Sequence, residues 1–204
     1  MVVRDRKRRE EHPEALGSAT GRPCTCGVTV LLTGLPSAGK TTIARALAAR
    51  LGGDGHRVEV LDGDGDETLA SLSAGLGSSR EDRDTHLQRV GLVAEVLARN
   101  GVIVLVPVVA PHADARAAVR SRHERSRTAF FEVHVATPVE VCSERDVKGR
   151  YAEQVAGGTT VSTGVDDPYE PPVEPDLRIP AHAQSVAESA SMLMELLTER
   201  NFIR

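Results

Sequence analysis

Aromatic side chains are scarce in this sequence: there is no Trp, and Phe130, Phe131, Tyr151, Tyr169 and Phe202 are the only Phe and Tyr among 204 residues. The stretch before Phe130 therefore has no such ring on which a base could stack. Cysteine is scarce as well. Cys24, Cys26 and Cys142 are too few and too unevenly placed for a disulfide framework, so a reducing cytoplasm is the expected compartment. No run of 18 apolar residues occurs, and no membrane span is expected. Positive charge is not in excess: 25 Lys+Arg against 29 Asp+Glu leave a net charge of −4. A field able to hold nucleic acid by counterion release is missing, and nucleic acid is not an expected partner. Arg4, Arg6, Lys7, Arg8 and Arg9 lack the following apolar stretch that a secretory signal requires, so export is not expected.

An apolar content of 40% can fill one sizeable core, and the length suits one domain with a short appendage. Residues 1–26 mix charge with Pro13, Gly17, Gly21 and Pro23 and show no apolar period, which predicts a flexible arm, with the folded domain at 27–204. Val28–Leu32 reads as a strand, and Ile43, Ala44, Leu47, Ala48 and Leu51 recur at helical spacing after a Gly-rich turn. Val58–Leu61 reads as a second strand. Ser79 with Asp82 opens a long helix that carries Leu87, Val90, Val93, Ala94 and Leu97 to Asn100-Gly101. Val102–Val109 is apolar throughout, as in a strand buried on both faces, with Pro107 toward its end.

A helix over about 114–124, a strand at Phe130–Val135 and a helix capped by Thr137 with Pro138 at its first position follow. Residues 149–175 hold four Gly and four Pro, the composition of a mobile lid loop. Leu177–Ile179 reads as a last strand, and Ser185 with Glu188 opens a closing helix. Strands alternating with helices imply a doubly wound α/β fold, with a mainly parallel five-stranded sheet and helices on both faces.

Gly34-Leu35-Pro36-Ser37-Ala38-Gly39-Lys40-Thr41 matches the phosphate-loop pattern of Gly, four residues, Gly, Lys, then Ser or Thr. The glycines let backbone amides turn toward phosphates, Lys40 reaches the β and γ phosphates, and the Thr41 hydroxyl is suited to Mg²⁺. An apolar strand before the loop and an amphipathic helix after it supply the required context, and the helix N-terminus adds partial positive charge. Asp62-Gly63-Asp64-Gly65-Asp66 follows the second strand at the edge where open α/β sheets bind ligands. A carboxylate there suits removal of a proton from an acceptor hydroxyl, or orientation of Mg²⁺.

From Val28 to Ile179 the chain resembles the adenylyl-sulfate kinase family, whose P-loop NTPase-type members phosphorylate the 3′-hydroxyl of adenosine 5′-phosphosulfate with MgATP. The resemblance is carried by Gly34–Thr42, Leu61-Asp-Gly-Asp64, Ser79-Arg-Glu-Asp-Arg83, Arg89-Val-Gly91, Ala136–Cys142, Arg145–Gly149 and Thr163–Glu170. It assigns Gly34 to Thr42, including Lys40 and Thr41, to ATP and Mg²⁺, and Arg145 to a place beside the ATP adenine. Asp62 and Asp64 become the catalytic carboxylates, with Asp64 as base and Asp66 left open by a second register. Arg83, His86, Val109, Ala110, Lys148, Ser162 and Thr163 fall to the acceptor. The common dimeric state of the family leaves a homodimer open.

The departures concern the acceptor. Two family Phe residues that sandwich the acceptor adenine are Ser78 and Ser162 here, and the family Asn after Arg83 is His86. Stacking is worth about 1–3 kcal/mol per base. An acceptor-binding Arg is replaced by Glu67 in one register and by Leu69 in the other. Ala110 stands where some members carry a Ser that becomes phosphorylated, so transfer is expected to be direct. A kinase of the same fold with another small hydroxyl acceptor, and a nucleotide-binding protein with little catalysis, are the alternatives. His112 either lines the pocket or caps a turn. Cys24-x-Cys26 reads as a reduced pair in the arm.

Overall fold

The computed structural model describes residues 27–62, 71–145 and 168–204. The predicted arm at 1–26 lies outside them, as do Asp64, Asp66, Lys148, Ser162, Thr163 and most of the 149–175 loop. Five strands, β1 (Val28–Thr33), β2 (Val58–Val60), β3 (Ile103–Pro107), β4 (Ala129–Val135) and β5 (Leu177–Ile179), form one sheet in the order β2-β3-β1-β4-β5. Every pairing is parallel. The helices are α1 (Lys40–Gly53), α2 (Arg80–Arg99), α3 (Ala113–Arg125), α4 (Val139–Arg145) and α5 (Val186–Glu199), with a 3₁₀ turn at Ser71–Ser73. The doubly wound α/β expectation is met.

Period-2 alternation along the strands divides the core in two. Val28, Val30 and Leu32 of β1 face α1 and α5, packing with Leu47, Leu51, Leu193 and Leu197. Leu31 faces the other way, with Leu87, Val90 and Ala94 of α2 and Val119 of α3. Apolar residues on both faces of β1 and β3 are what a central parallel strand requires.

β3 ends at Pro107, short of the Val109 expected from its apolar run, since proline supplies no N–H to the ladder. Val108 N–H still donates to the Leu32 carbonyl at 3.1 Å. The caps follow the sequence. Ser79 Oγ accepts from Asp82 N–H, and Ser185 with Glu188 forms a complete capping box. No helix among the described residues is long and apolar enough to cross a membrane.

Candidate active site

The carboxyl ends of β1, β2 and β3 open onto one edge, and each delivers part of the site. β1 runs into Gly34–Gly39, after which α1 begins at Lys40. A Cβ on Gly34 would lie 2.6 Å from the Val135 carbonyl oxygen, so only glycine lets the loop leave the sheet beside β4. Gly39, at φ 104°, takes the left-handed turn into α1. Lys40 is buried, and its ammonium donates to the Gly34 carbonyl at 3.0 Å and to the Leu35 carbonyl at 2.7 Å. The loop thus curls around a positive charge at a helix N-terminus, which is an anion-binding arrangement.

Two residues behind the loop steady it. The Thr137 hydroxyl, expected as a helix cap, donates across to the Ala38 carbonyl at 2.9 Å. Cys142 is buried beneath, where desolvation pushes its thiol pKa up against the opposing influence of Lys40. A protonated thiol there is packing and not a nucleophile.

β2 delivers Asp62. Its carboxylate is buried and accepts from the Arg45 guanidinium of α1 at 3.1 Å. Arg45 carries no motif signal, since a basic residue on an amphipathic helix reads as solvated surface. The Thr41 hydroxyl and the Asp62 carboxylate are hard oxygen donors beside the phosphate loop, a donor set that fits Mg²⁺.

β3 delivers the Val109–Ala110 corner. The Thr33 hydroxyl at the end of β1 donates to the Val109 carbonyl at 2.5 Å. Ala110 is buried in the left-handed region at φ 44°, a conformation that costs about 1–3 kcal/mol and needs surrounding contacts to persist. His112 Nδ1 lies 2.6 Å from Asp84 Oδ1 on α2, so its side chain joins two helices and does not cap the turn. Arg80 adds a second tie to Asp114 at 3.0 Å. These contacts bring the first two turns of α2, which carry Arg83 and His86, toward the corner. The Arg83 N–H donates to the Ser79 carbonyl, and His86 Nδ1 lies 3.1 Å from Ser73 Oγ. Ser78 is exposed just ahead of α2. Arg145 is the exposed last residue of α4.

The structure thus brings Gly34–Thr42, Asp62, Val109 and Ala110 to one sheet edge, with Arg83 and His86 on the helix tethered beside it. Thr33, Arg45 and Thr137 are contributors that sequence reasoning missed. Their partners lie across the fold, with no local pattern to reveal them.

The family pattern for adenylylsulphate kinase matches residues 26–180. A probable adenylyl-sulfate kinase of Synechocystis sp. is 46% identical over 177 residues, covering 87% of this chain and 97% of the relative. The adenylyl-sulfate kinase of Rippkaea orientalis is also 46% identical, over 87% and 94% of the two chains. Among solved structures, the Mycobacterium tuberculosis APS kinase in complex with AMPPNP and APS superposes with a TM-score of 0.80 at 41% identity, covering 84% of this chain and 98% of that one. With the phosphate loop, the acidic strand end and the corner all in place on a P-loop NTPase fold, the chain belongs to the adenylylsulphate kinase family.

Proposed function

We propose that the protein transfers the γ-phosphoryl group of ATP to the 3′-hydroxyl of adenosine 5′-phosphosulfate. The observation that carries this reading is the shared edge, where Lys40 in its loop, buried Asp62 and the Val109–Ala110 corner are supplied by the ends of three adjacent strands. The names of the relatives, and the AMPPNP and APS bound to the Mycobacterium tuberculosis enzyme, support the same donor and acceptor.

In the transfer, the bond from the γ-phosphorus to the β–γ bridging oxygen breaks and a bond to the acceptor 3′-oxygen forms. The 3′ proton passes to a carboxylate. Backbone amides of Gly34–Thr42 and the Lys40 ammonium hold the phosphates in line. Thr41 and Asp62 would hold Mg²⁺, which when bound offsets charge on the transferring group. Asp62, fastened by Arg45, is an orienting carboxylate, and Asp64 is the proton acceptor. Arg83, His86, Val109, Ala110, Lys148, Ser162 and Thr163 bind the acceptor, and Arg145 lies beside the ATP adenine. Ala110 has no hydroxyl to carry a phosphoryl group, so transfer is direct. A cytoplasmic location and a homodimer complete the reading, the latter checked by sedimentation.

Ser78 favours a second reading. It is exposed where a ring would grip the acceptor adenine, as a kinase that had moved to another small hydroxyl compound would have it. Coupled ADP release, with MgATP and adenosine 5′-phosphosulfate at low micromolar concentration, separates the two. Turnover by the unmodified protein supports the first. Silence that Ser78→Phe/Ser162→Phe relieves points to a changed acceptor. ATP binding with no acceptor-dependent ADP release from either protein overturns the first reading, and ADP release with other small hydroxyl compounds then decides between a changed acceptor and a nucleotide-binding protein.

A further inference from the structure

Tyr169 and Glu170, the end of a distinctive sequence stretch, are fastened to the site edge. The Tyr169 hydroxyl lies 3.1 Å from Thr33 Oγ1, the same hydroxyl that holds the Val109 carbonyl. Glu170 N–H donates to the Pro111 carbonyl at 2.9 Å. The Glu170 carboxylate accepts from Ala113 N–H at 2.7 Å, so a distant segment serves the first turn of α3.

Arg116 closes this knot from below. It is 2% exposed, and its guanidinium makes four bonds. Nη1 donates to the Ala110 carbonyl at 2.7 Å and to the Pro111 carbonyl at 3.1 Å, and Nη2 donates to the Glu170 carbonyl at 2.7 Å. Nε donates to Glu132 Oε1 at 2.6 Å, which pairs the buried charge. Three of the four acceptors are main-chain carbonyls in irregular backbone, one of them the left-handed Ala110. A planar, fixed fork suits such a set of acceptors, whereas a lysine ammonium cannot span it. Thr33 directly precedes the phosphate loop. The knot therefore sets the height of the Val109–Ala110 corner against the loop that holds the phosphates.

We propose that Arg116 and Tyr169 are positioning residues for the acceptor: they fix the Val109–Ala110 corner so that the acceptor hydroxyl meets the γ-phosphoryl group in line. The proposal rests on the kinase reading above, though not on the identity of the acceptor. Displacement of a reacting group by about 1 Å is enough to cost a hundredfold in rate.

The test compares Arg116→Lys with Tyr169→Phe, which removes one oxygen atom from an otherwise unchanged ring. Acceptor kcat/KM in the ADP-release assay is set against ATP affinity measured by titration without acceptor. Acceptor kcat/KM falls about three- to tenfold in Tyr169→Phe and more than about tenfold in Arg116→Lys, while ATP affinity stays within about twofold. Equal loss in acceptor kcat/KM and in ATP affinity, or a lowered melting temperature with acceptor kcat/KM unchanged, overturns the proposal. If the unmodified protein is silent with adenosine 5′-phosphosulfate, the acceptor reading fails by itself, and hydrogen exchange then decides the positioning role. Faster exchange at the amides of Ala113 and Glu170 in Arg116→Lys, with β1 unchanged, supports it. Unchanged exchange at those amides overturns it.

Discussion

The guanidinium of Arg45 lies 3.1 Å from the carboxylate of Asp62, so the helix that follows the phosphate loop also holds the acidic end of β2. Nucleotide-binding and acidic elements are thereby locked in register. The pair is asymmetric, with the Arg45 side chain 63% exposed and that of Asp62 8% exposed. Solvent screens the arginine, and the bridge contributes under about 1 kcal/mol to stability. Its effect is expected on the chemistry. Arg45→Gln lowers kcat about tenfold with a melting temperature close to that of the unmodified protein. A thermal melt and steady-state ADP release check both halves.

Lys40 makes a stronger case. Its ammonium is buried in the loop between the Gly34 and Leu35 carbonyls, and the proposed function has it hold the β and γ phosphates of ATP. Lys40→Met keeps the length of the side chain and removes its charge. Turnover falls by about a hundred- to a thousandfold, the scale seen when one preorganised charge-stabilising donor is lost. ADP release at saturating acceptor measures it.

Gly27 tests where the folded domain begins. A Cβ there would lie 2.3 Å from the Val102 carbonyl oxygen, in the turn into β3, and 2.4 Å from that of Ala98, in the last turn of α2. Gly27→Ala destabilises by about 2–4 kcal/mol, because neither oxygen belongs to a side chain that could swing away. Urea unfolding of the two proteins gives the difference. An effect under about 1 kcal/mol would show that the chain before Val28 is free to shift.

Two histidines predict a pH dependence. His123 is fully buried, with Nδ1 2.9 Å from the Val119 carbonyl and Nε2 2.9 Å from Thr29 Oγ1, and burial lowers its pKa. His134 is lowered by burial and then by Arg178 and Arg116. A lowered histidine pKa favours the neutral ring in the folded state, so the unfolded chain binds more protons once the pH drops below about 6.5. Stability is fully present above that value and declines below it, by at most about 1.4 kcal/mol per pH unit per histidine. Glu188, lowered by the Ser185 hydroxyl, follows the same direction, but only below the ordinary carboxylate range. Urea unfolding at pH 3.5, 5.5, 6.5 and 7.5 separates the two windows, and His123→Gln shallows the slope between pH 5.5 and 6.5.

The nucleotide half of the site was legible in the sequence because its signals are local. The apolar run Val28–Leu32, the glycines at 34 and 39 and the stripe Ile43–Leu51 each specify a conformation within a few residues, and strand, loop and helix formed there. Ser185 with Glu188 opened its helix for the same reason. The acceptor half was legible only through resemblance, since nothing in the pattern around Val109 shows that Ala110 adopts a left-handed backbone. His112 shows the limit plainly: its position left a pocket wall and a turn cap both open, and its ring makes no cap bond but meets Asp84, 28 residues earlier.

The sequence by itself determined a parallel α/β sheet, a phosphate loop with Lys40 and a carboxylate, Asp62, just after β2, because backbone propensity and apolar period act between neighbours. Only the tertiary structure decided that Arg45 meets Asp62, that Thr33 meets Tyr169 across 136 residues, and that Arg116 binds the carbonyls of Ala110 in the corner and of Glu170 from a distant segment. Such bonds form once the sheet has aligned the strand ends, and a buried arginine looks no different in the sequence from one in water.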